Sequence, residues 1–178
     1  YFLQSGMTNT ILIPDKVKEL LKFLEERDLN KPLEDCYFLV ASGFISNKLA
    51  GQLRDRVSDY LENIYGSTEI NVPILRSSVE NPEDLHWMVS SGFRAVEIVD
   101  EEGNTCPLDV EGELRVRFTE LDSSSYLDDP KTTDKVFKSG YFHPGDMAVR
   151  RSDGRIRILS RSADVINIDG QKRSVAPL

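Results

Sequence analysis

The feature that most constrains this chain is a short apolar run at residues 36–40, Cys-Tyr-Phe-Leu-Val, which opens directly onto Ala41, Ser42 and Gly43. It is too short for a helix and rich in strand formers, so it predicts a buried strand ending in a glycine loop. Ser46 then stands where a helix N-cap is expected, ahead of Leu49, Leu53 and Val57, which recur at every fourth position. A second short run at 61–65 follows and ends at Gly66, where a loop is expected. Strand, helix and strand in that order predict a parallel α/β unit, because parallel strands need a crossover that a helix supplies. Upstream, Val17, Leu20, Leu21 and Leu24 repeat at three and four positions across 14–27, with Pro14 at a tolerated first-turn position. That stretch predicts an amphipathic helix.

The second half changes period. Residues 93–99 and 112–118 alternate apolar and polar around a turn at 101–104, as successive strands of a curved sheet or partly open barrel would. Residues 123–133 are polar and rich in breakers, which predicts a surface loop. Ser152-Asp153-Gly154 separates two further alternating runs, at 148–151 and 155–159, and Asp-Gly in that setting is a strong hairpin signal. The predicted class is therefore α/β: a parallel α/β subdomain over 7–80, then a β-rich distorted-barrel subdomain over 81–160, with a soft boundary near 80 where Pro73 and Pro82 lie. Residues 1–6 read as a tag remnant ahead of Met7.

Charge and cysteine content narrow the partners. With 30 acidic and 22 basic residues the formal net charge is −8, a balance that repels a phosphate backbone, so nucleic acid is not expected. No apolar run approaches a membrane span and the start lacks the pattern of a signal peptide, which predicts a soluble cytoplasmic protein. The cysteines Cys36 and Cys106 lie far apart without a CxxC, so both are expected to be buried thiols rather than a zinc site or a disulfide.

Three stretches carry candidate chemistry. Tyr65-Gly66-Ser67-Thr68-Glu69 follows a parallel strand, where open α/β sheets bind ligands. A hydroxyl there suits a phosphate oxygen, a carboxylate suits Mg²⁺, and a tyrosine suits a flat ring; the same residues also read as a polar turn. Gly140-Tyr141-Phe142-His143-Pro144-Gly145-Asp146 places a lone Asp at a strand entrance, able to accept from both hydroxyls of a ribose, or simply to close a Pro-Gly turn. His143 has no carboxylate or nucleophile assigned to it and reads as a loop or packing residue, as does His86. The third stretch, from Arg161 to Lys172, is an alternating strand bracketed by charge and ending at Gly170. The chain has neither a GxxxxGK nor a GxGxxG phosphate cradle, and no G-x-S-x-G elbow.

Taken in order and spacing, these stretches resemble the motifs of the adenylate-forming superfamily, which includes acyl-CoA synthetases, aryl-CoA ligases, luciferases and peptide-synthetase adenylation domains. Tyr65 to Glu69 resembles YG-x-TE. Gly112-Glu113-Leu114-Arg115-Val116-Arg117 resembles GEL-x-VRG, with Phe118 in place of the last glycine. Gly140 to Asp146 is similar to G-[WY]-F-x-[TP]-GD, and Ser152 to Gly170 is similar to the Asp-Gly hairpin and the GR-x-[DK]-D-x-I-x-x-x-G stretch. Upstream, Ser42-Gly43-Phe44-Ile45-Ser46 looks like the GGAPLS loop. The likeness runs from about Leu33 to the last residue.

The resemblance implies an ATP-dependent carboxylate ligase. In that family a carboxylic acid attacks the α-phosphate of ATP to give an acyl-adenylate and pyrophosphate, and a thiol, coenzyme A or a carrier-protein arm, then displaces AMP. It implies that Tyr65 stacks on adenine, with Gly66 allowing close approach. Thr68 would contact phosphate and Glu69 would bind Mg²⁺, while Asp146 and Arg161 hold the ribose hydroxyls. Ser42, Gly43 and Phe44 line the adenine and acyl pocket; Phe44, Ile64 and Ile70 suggest an apolar wall. Gly170 and Lys172 lie on the path of the thiol donor. Ala163 stands at the hinge position, where the family usually has Asp or Lys, a departure from the family pattern at a residue that can still pivot. The family's phosphate loop belongs before Leu33 and its C-terminal lid, with a catalytic Lys, beyond Leu178, so 161–178 is expected to be a hinge region leading to an absent lid. The chain is therefore expected to be a fragment, inactive alone, whose partners include the missing portions of the same protein. Two alternatives remain open: a non-catalytic nucleotide-binding or interaction module on the same fold, and a peptide-synthetase adenylation domain.

Overall fold

A computed structural model describes residues 8–28, 36–41, 43, 45–78, 85–161, 165–168 and 171–174, the last two segments as backbone. The chain divides into two compact units. One draws on residues up to Gly66 and on Arg76–His86, the other on Ser67–Leu75 and on residues from Trp87 onward.

The first unit is a parallel α/β layer. Strand β1 (Asn9–Leu12) leads into helix α1 (Pro14–Glu26), then strand β2 (Tyr37–Val40), helix α2 (Asn47–Arg56) and strand β3 (Tyr60–Ser67). β1 pairs parallel with β2, and β2 parallel with β3, so each helix is the crossover between neighbouring strands. α1 begins with Pro14, whose fixed φ suits a first turn, and buries Val17, Leu21 and Leu24, with Leu20 packed at the edge of the same core. In α2 the Ser46 hydroxyl accepts from the Leu49 backbone N–H at 3.2 Å, satisfying one of the helix's unpaired donors, and Leu49, Ala50 and Leu53 turn inward. These helix faces meet Phe38 and Val40 of β2 and Leu61 of β3, with Leu85 completing the cluster. Each fully buried side chain of this size contributes on the order of 1.5–3 kcal/mol. The Asn63 amide and the Ser77 hydroxyl both donate to the carbonyl of Leu85, at 3.2 and 2.9 Å, so the buried polar groups here are paired.

The second unit is β-rich. It contains most of β4 (Ile70–Ser78), β5 (Val89–Ser90), β6 (Val96–Val99), β7 (Gly112–Arg117), α3 (Pro130–Val136), β8 (Phe137–Lys138), β9 (Tyr141–Phe142), β10 (Asp146–Arg150), β11 (Ile156–Arg161), β12 (Val165–Ile168) and β13 (Gln171–Ser174). Six of these strands form an antiparallel sheet in the order β11, β10, β7, β9, β8, with β6 also paired to β7. β7 is its centre: β6 runs along one edge, and the other edge is shared between β10 at Glu113 and β9 at Val116. Its alternation buries Gly112, Leu114 and Val116. Gly112 is required by close approach, because a Cβ there would lie 2.5 Å from the Val99 carbonyl oxygen and 2.6 Å from Cys106 Sγ. β12 and β13 form a separate antiparallel pair.

Three expectations change. The loop expected at Gly66 is strand, since β3 continues through Ser67 and only Thr68 and Glu69 turn before β4. Within 123–133, Pro130 starts helix α3, capped by the Asp129 carboxylate accepting from the Thr132 N–H at 3.0 Å; a cap and a proline suffice where apolar periodicity is missing. Of the thiols, Cys36 is buried but Cys106 is half-buried. Among the described residues no helix is long and apolar enough to cross a membrane.

Candidate functional site

The turn at Thr68 and Glu69 presents a carboxylate whose oxygens are occupied by hydroxyls. Glu69 Oε2 accepts from the hydroxyls of Ser67 and Thr68, the latter at 3.1 Å, and Oε1 accepts from the Tyr126 phenol at 2.5 Å. Burial pushes the Glu69 carboxyl up, but the Ser67 and Tyr126 hydroxyls outweigh it and hold the group below the usual carboxylate range. Burial and the Glu69 charge together push the Tyr126 phenol up to about 12, so at neutral pH it is a donor. Among the described residues, hydroxyls and not cationic side chains are what stabilise the Glu69 charge. Tyr65 lies half-buried on β3 and Gly66 is exposed beside it.

The segment carrying Tyr126 is clamped to the same turn. The Ser123 N–H donates to the Glu69 carbonyl at 2.9 Å, and the Asn71 N–H donates to Asp122 Oδ1 at 3.0 Å. Asp122 is in turn gripped by Arg94, Nε to Oδ2 at 2.7 Å and Nη2 to Oδ1 at 2.9 Å, and accepts from the Thr119 N–H and hydroxyl. The Arg94 guanidinium holds the Asp122 carboxyl far below its ordinary value.

Asp146 and Arg161 are brought together by register. They are opposite partners at the open end of the β10–β11 hairpin, whose Asp153-Gly154 turn has Gly154 at φ 84°. A hairpin turn fixes which residues face each other, and here it puts Arg161 Nε 3.0 Å from Asp146 Oδ1. The Asp146 side chain is buried and that of Arg161 is exposed, with Nη1 donating to the Pro144 carbonyl at 3.0 Å. Gly145, at φ 77°, lets the chain turn sharply into β10.

His143 is a buried loop residue, as expected, and it stands beside a carboxylate that was not assigned to it. Its N–H donates to the Val136 carbonyl at 2.8 Å, and its Nδ1 lies 3.3 Å from Glu113 Oε2 without an aligned hydrogen bond. The imidazole beside it lowers the Glu113 carboxyl. Because β10 and β9 share one edge of β7, the loop between them passes Glu113, and this joins two of the candidate motifs. An aromatic run links the others: Tyr126 packs on Phe137 at 5.6 Å between centroids, and Phe137 on Phe142 at 5.4 Å.

Thr68 with Glu69, and Asp146 with Arg161, are thus the expected residues brought into contact. Gly43 sits with its Cα side against Pro14, where a Cβ would be 3.1 Å from Cδ. Ser42, Phe44, Ala163 and Gly170 lie outside the described residues, and of Lys172 only the backbone, in β13, is described. Tyr126, Asp122, Arg94 and Glu113 were not among the expected site residues. The one signal for Tyr126 was that it is the sole aromatic of a polar stretch.

No family model matches the chain. The long-chain-fatty-acid–CoA ligase of Salmonella typhimurium is 30% identical to it over 95% of this chain and 34% of that protein. The medium/long-chain-fatty-acid–CoA ligase of Mycobacterium tuberculosis is also 30% identical, over 94% of this chain and 29% of its own length. Among solved structures, an amide bond synthetase from Marinactinospora thermotolerans matches with a TM-score of 0.81 at 23% identity, over 94% of this chain and 34% of that one. O-succinylbenzoate coenzyme A synthetase from Bacillus subtilis, in complex with ATP and magnesium ion, matches with a TM-score of 0.78 at 21% identity, over 93% and 34%. The fold is that of the adenylate-forming enzymes. Among the sequence relatives, the chain is similar along nearly its whole length to fatty-acid–CoA ligases, and it spans about a third of the length of the relatives it matches.

Proposed function

We propose that the protein carrying this chain activates a carboxylic acid with ATP and passes the acyl group to a thiol, coenzyme A, and that this chain supplies part of the nucleotide and acyl site. The observation that carries the reading is the Glu69 carboxylate: ionised, partly buried and, among the described residues, stabilised by hydroxyls and not by cationic side chains. Such a group suits Mg²⁺, which is held by one or two carboxylates together with substrate phosphates. The ion, when bound, supplies charge neutralisation at the phosphates. The hydroxyl of Thr68, exposed at the turn, donates to a phosphate oxygen. Asp146 accepts from the ribose hydroxyls and Arg161 holds that carboxylate in place. Tyr65 stacks on adenine, and Gly43 lies with Ser42 and Phe44 along the adenine and acyl pocket. Gly170 and Lys172 flank the thiol donor, and Ala163 is the pivot of the hinge.

The chemistry is positional. The acid's carboxylate oxygen forms a bond to the α-phosphorus as the bond to pyrophosphate breaks; the thiol sulfur then bonds to the acyl carbon as AMP leaves. These residues orient the groups and stabilise developing charge rather than form bonds themselves. Support for a CoA ligase comes from the fatty-acid–CoA ligases that match nearly the whole chain.

Asp146→Ala in the whole protein tests the nucleotide assignment. Loss of ATP–pyrophosphate exchange by at least about a hundredfold is expected, since a buried carboxylate's bonds to substrate are removed; an unchanged rate overturns the ribose role. The 178-residue chain alone is expected not to turn over, and pyrophosphate release from ATP and a fatty acid by that chain would show otherwise.

A further inference from the structure

Glu69 Oε2 is held locally by the Ser67 and Thr68 hydroxyls, but the donor on Oε1 comes from a remote segment. Three separate links tie this turn to the segment 119–126: the Tyr126 phenol on Glu69 Oε1, the Ser123 N–H on the Glu69 backbone carbonyl, and the Asn71 N–H on Asp122. Tyr126 is itself fixed from behind, because its N–H donates to the Thr133 hydroxyl at 2.9 Å while that hydroxyl donates to the Asp129 carbonyl at 2.8 Å in the first turn of α3. Its ring packs on Phe137, which in turn packs on Phe142 at the end of β9, ahead of the loop that leads to Asp146.

We propose that Tyr126 is a positioning residue for Glu69: its phenol sets the rotamer of the metal-binding carboxylate, and α3 with Phe137 sets the phenol. The inference rests on the reading of Glu69 as the Mg²⁺ ligand. A glutamate has three rotatable side-chain bonds; with Oε2 held by the adjacent hydroxyls, a charge-assisted bond of 2.5 Å to Oε1 from an independently fixed phenol completes the restriction and leaves the carboxylate aimed before any ion arrives. Tyr126 touches neither substrate nor metal in this scheme and acts through Glu69 alone.

The test uses the whole protein. Metal concentration is varied in ATP–pyrophosphate exchange at saturating ATP and acid, and binding of Mn²⁺·ATP is measured by calorimetry, for the wild type, Tyr126→Phe and Glu69→Gln. Tyr126→Phe keeps the ring on Phe137 and removes only the donor. The expected result is a rise of about tenfold in the metal concentration for half-maximal exchange and a similar weakening of Mn²⁺·ATP binding, the size of one charge-assisted hydrogen bond. The thermal midpoint is expected to stay close to that of the wild type. Thr133→Val, which removes the acceptor behind Tyr126 and lies outside the site, is expected to give the same signature in smaller measure, and it decides the matter if the Phe variant does not fold. A wild-type metal response in Tyr126→Phe, with exchange abolished in Glu69→Gln, overturns the proposal and leaves the metal assignment standing. A lowered thermal midpoint with an unchanged metal response also overturns it, because the bond is then merely structural. If Glu69→Gln itself keeps exchange and metal response, the metal assignment fails and the role of Tyr126 fails with it.

Discussion

Arg94 closes a bidentate grip on Asp122, whose side chain has no exposed surface, while the Arg94 side chain is 11% exposed. That carboxylate also takes the N–H groups of Thr119 and Asn71, so the pair joins the start of the Tyr126 segment to β4. Breaking one partner leaves the other charge buried and uncompensated. Asp122→Ala is expected to destabilise the fold by about 3–5 kcal/mol, measured by urea denaturation.

The same pair predicts an acid limb. The folded-state value of Asp122 is depressed, so the unfolded state takes up its proton first as pH falls. Its stabilising contribution is fully present above the ordinary aspartate value of 3.8 and declines as pH falls below it toward the folded value. Denaturation midpoints measured at pH 5 and pH 3 are expected to differ less in Asp122→Asn than in the wild type.

Gly112 gives a steric prediction. A methyl at that position would enter the space of the Val99 carbonyl and of Cys106 Sγ, at the start of β7 just beyond the Val99–Glu113 pairing. Backbone cannot move aside as a flexible side chain would, and Gly112→Ala is expected to lose about 1–3 kcal/mol. The double variant with Cys106→Ala should recover the sulfur's part of that loss and none of the part due to the carbonyl, which a thermal melt of the set would separate.

The cap of α2 is a smaller and more local matter. Ser46→Ala removes the acceptor for the Leu49 N–H and is expected to lower stability by about 1 kcal/mol, with Ser46→Asp near the wild type. Hydrogen exchange at the Leu49 amide reports it directly.

How far the fold was legible follows from distance along the chain. The β2–α2–β3 crossover, the Ser46 cap and the β10–β11 hairpin were readable because each depends on residues a few positions apart. Strand β1 was missed: Asn9–Leu12 is short, without a clean alternation, and becomes a strand only by pairing with β2. Helix α3 is not legible in its sequence, Pro-Lys-Thr-Thr-Asp-Lys-Val, because it buries no face and so shows no apolar period. Gly66 reads as a break in the sequence, but in the fold it stays within β3.

The candidate site divides in the same way. Glu69 and Thr68 are neighbours and their contact follows from the turn; Asp146 and Arg161 meet because a local Asp-Gly turn sets a register. The partners that orient them are remote: Tyr126 lies 57 residues from Glu69, and Glu113 reaches His143 only because β7 is the strand on which both β9 and β10 converge.

The amino-acid sequence on its own therefore settled the class of fold, the helix faces, the turns and the identity of the acidic groups, since propensity, capping and hydrophobic period act within a few residues. Which phenol holds Glu69, which arginine neutralises Asp122 and which carboxylate stands beside His143 came only with folding. Those choices rest on strand order and on the packing of distant side chains, and a one-dimensional pattern does not carry the geometry that makes an oxygen and a donor meet at 2.5 Å.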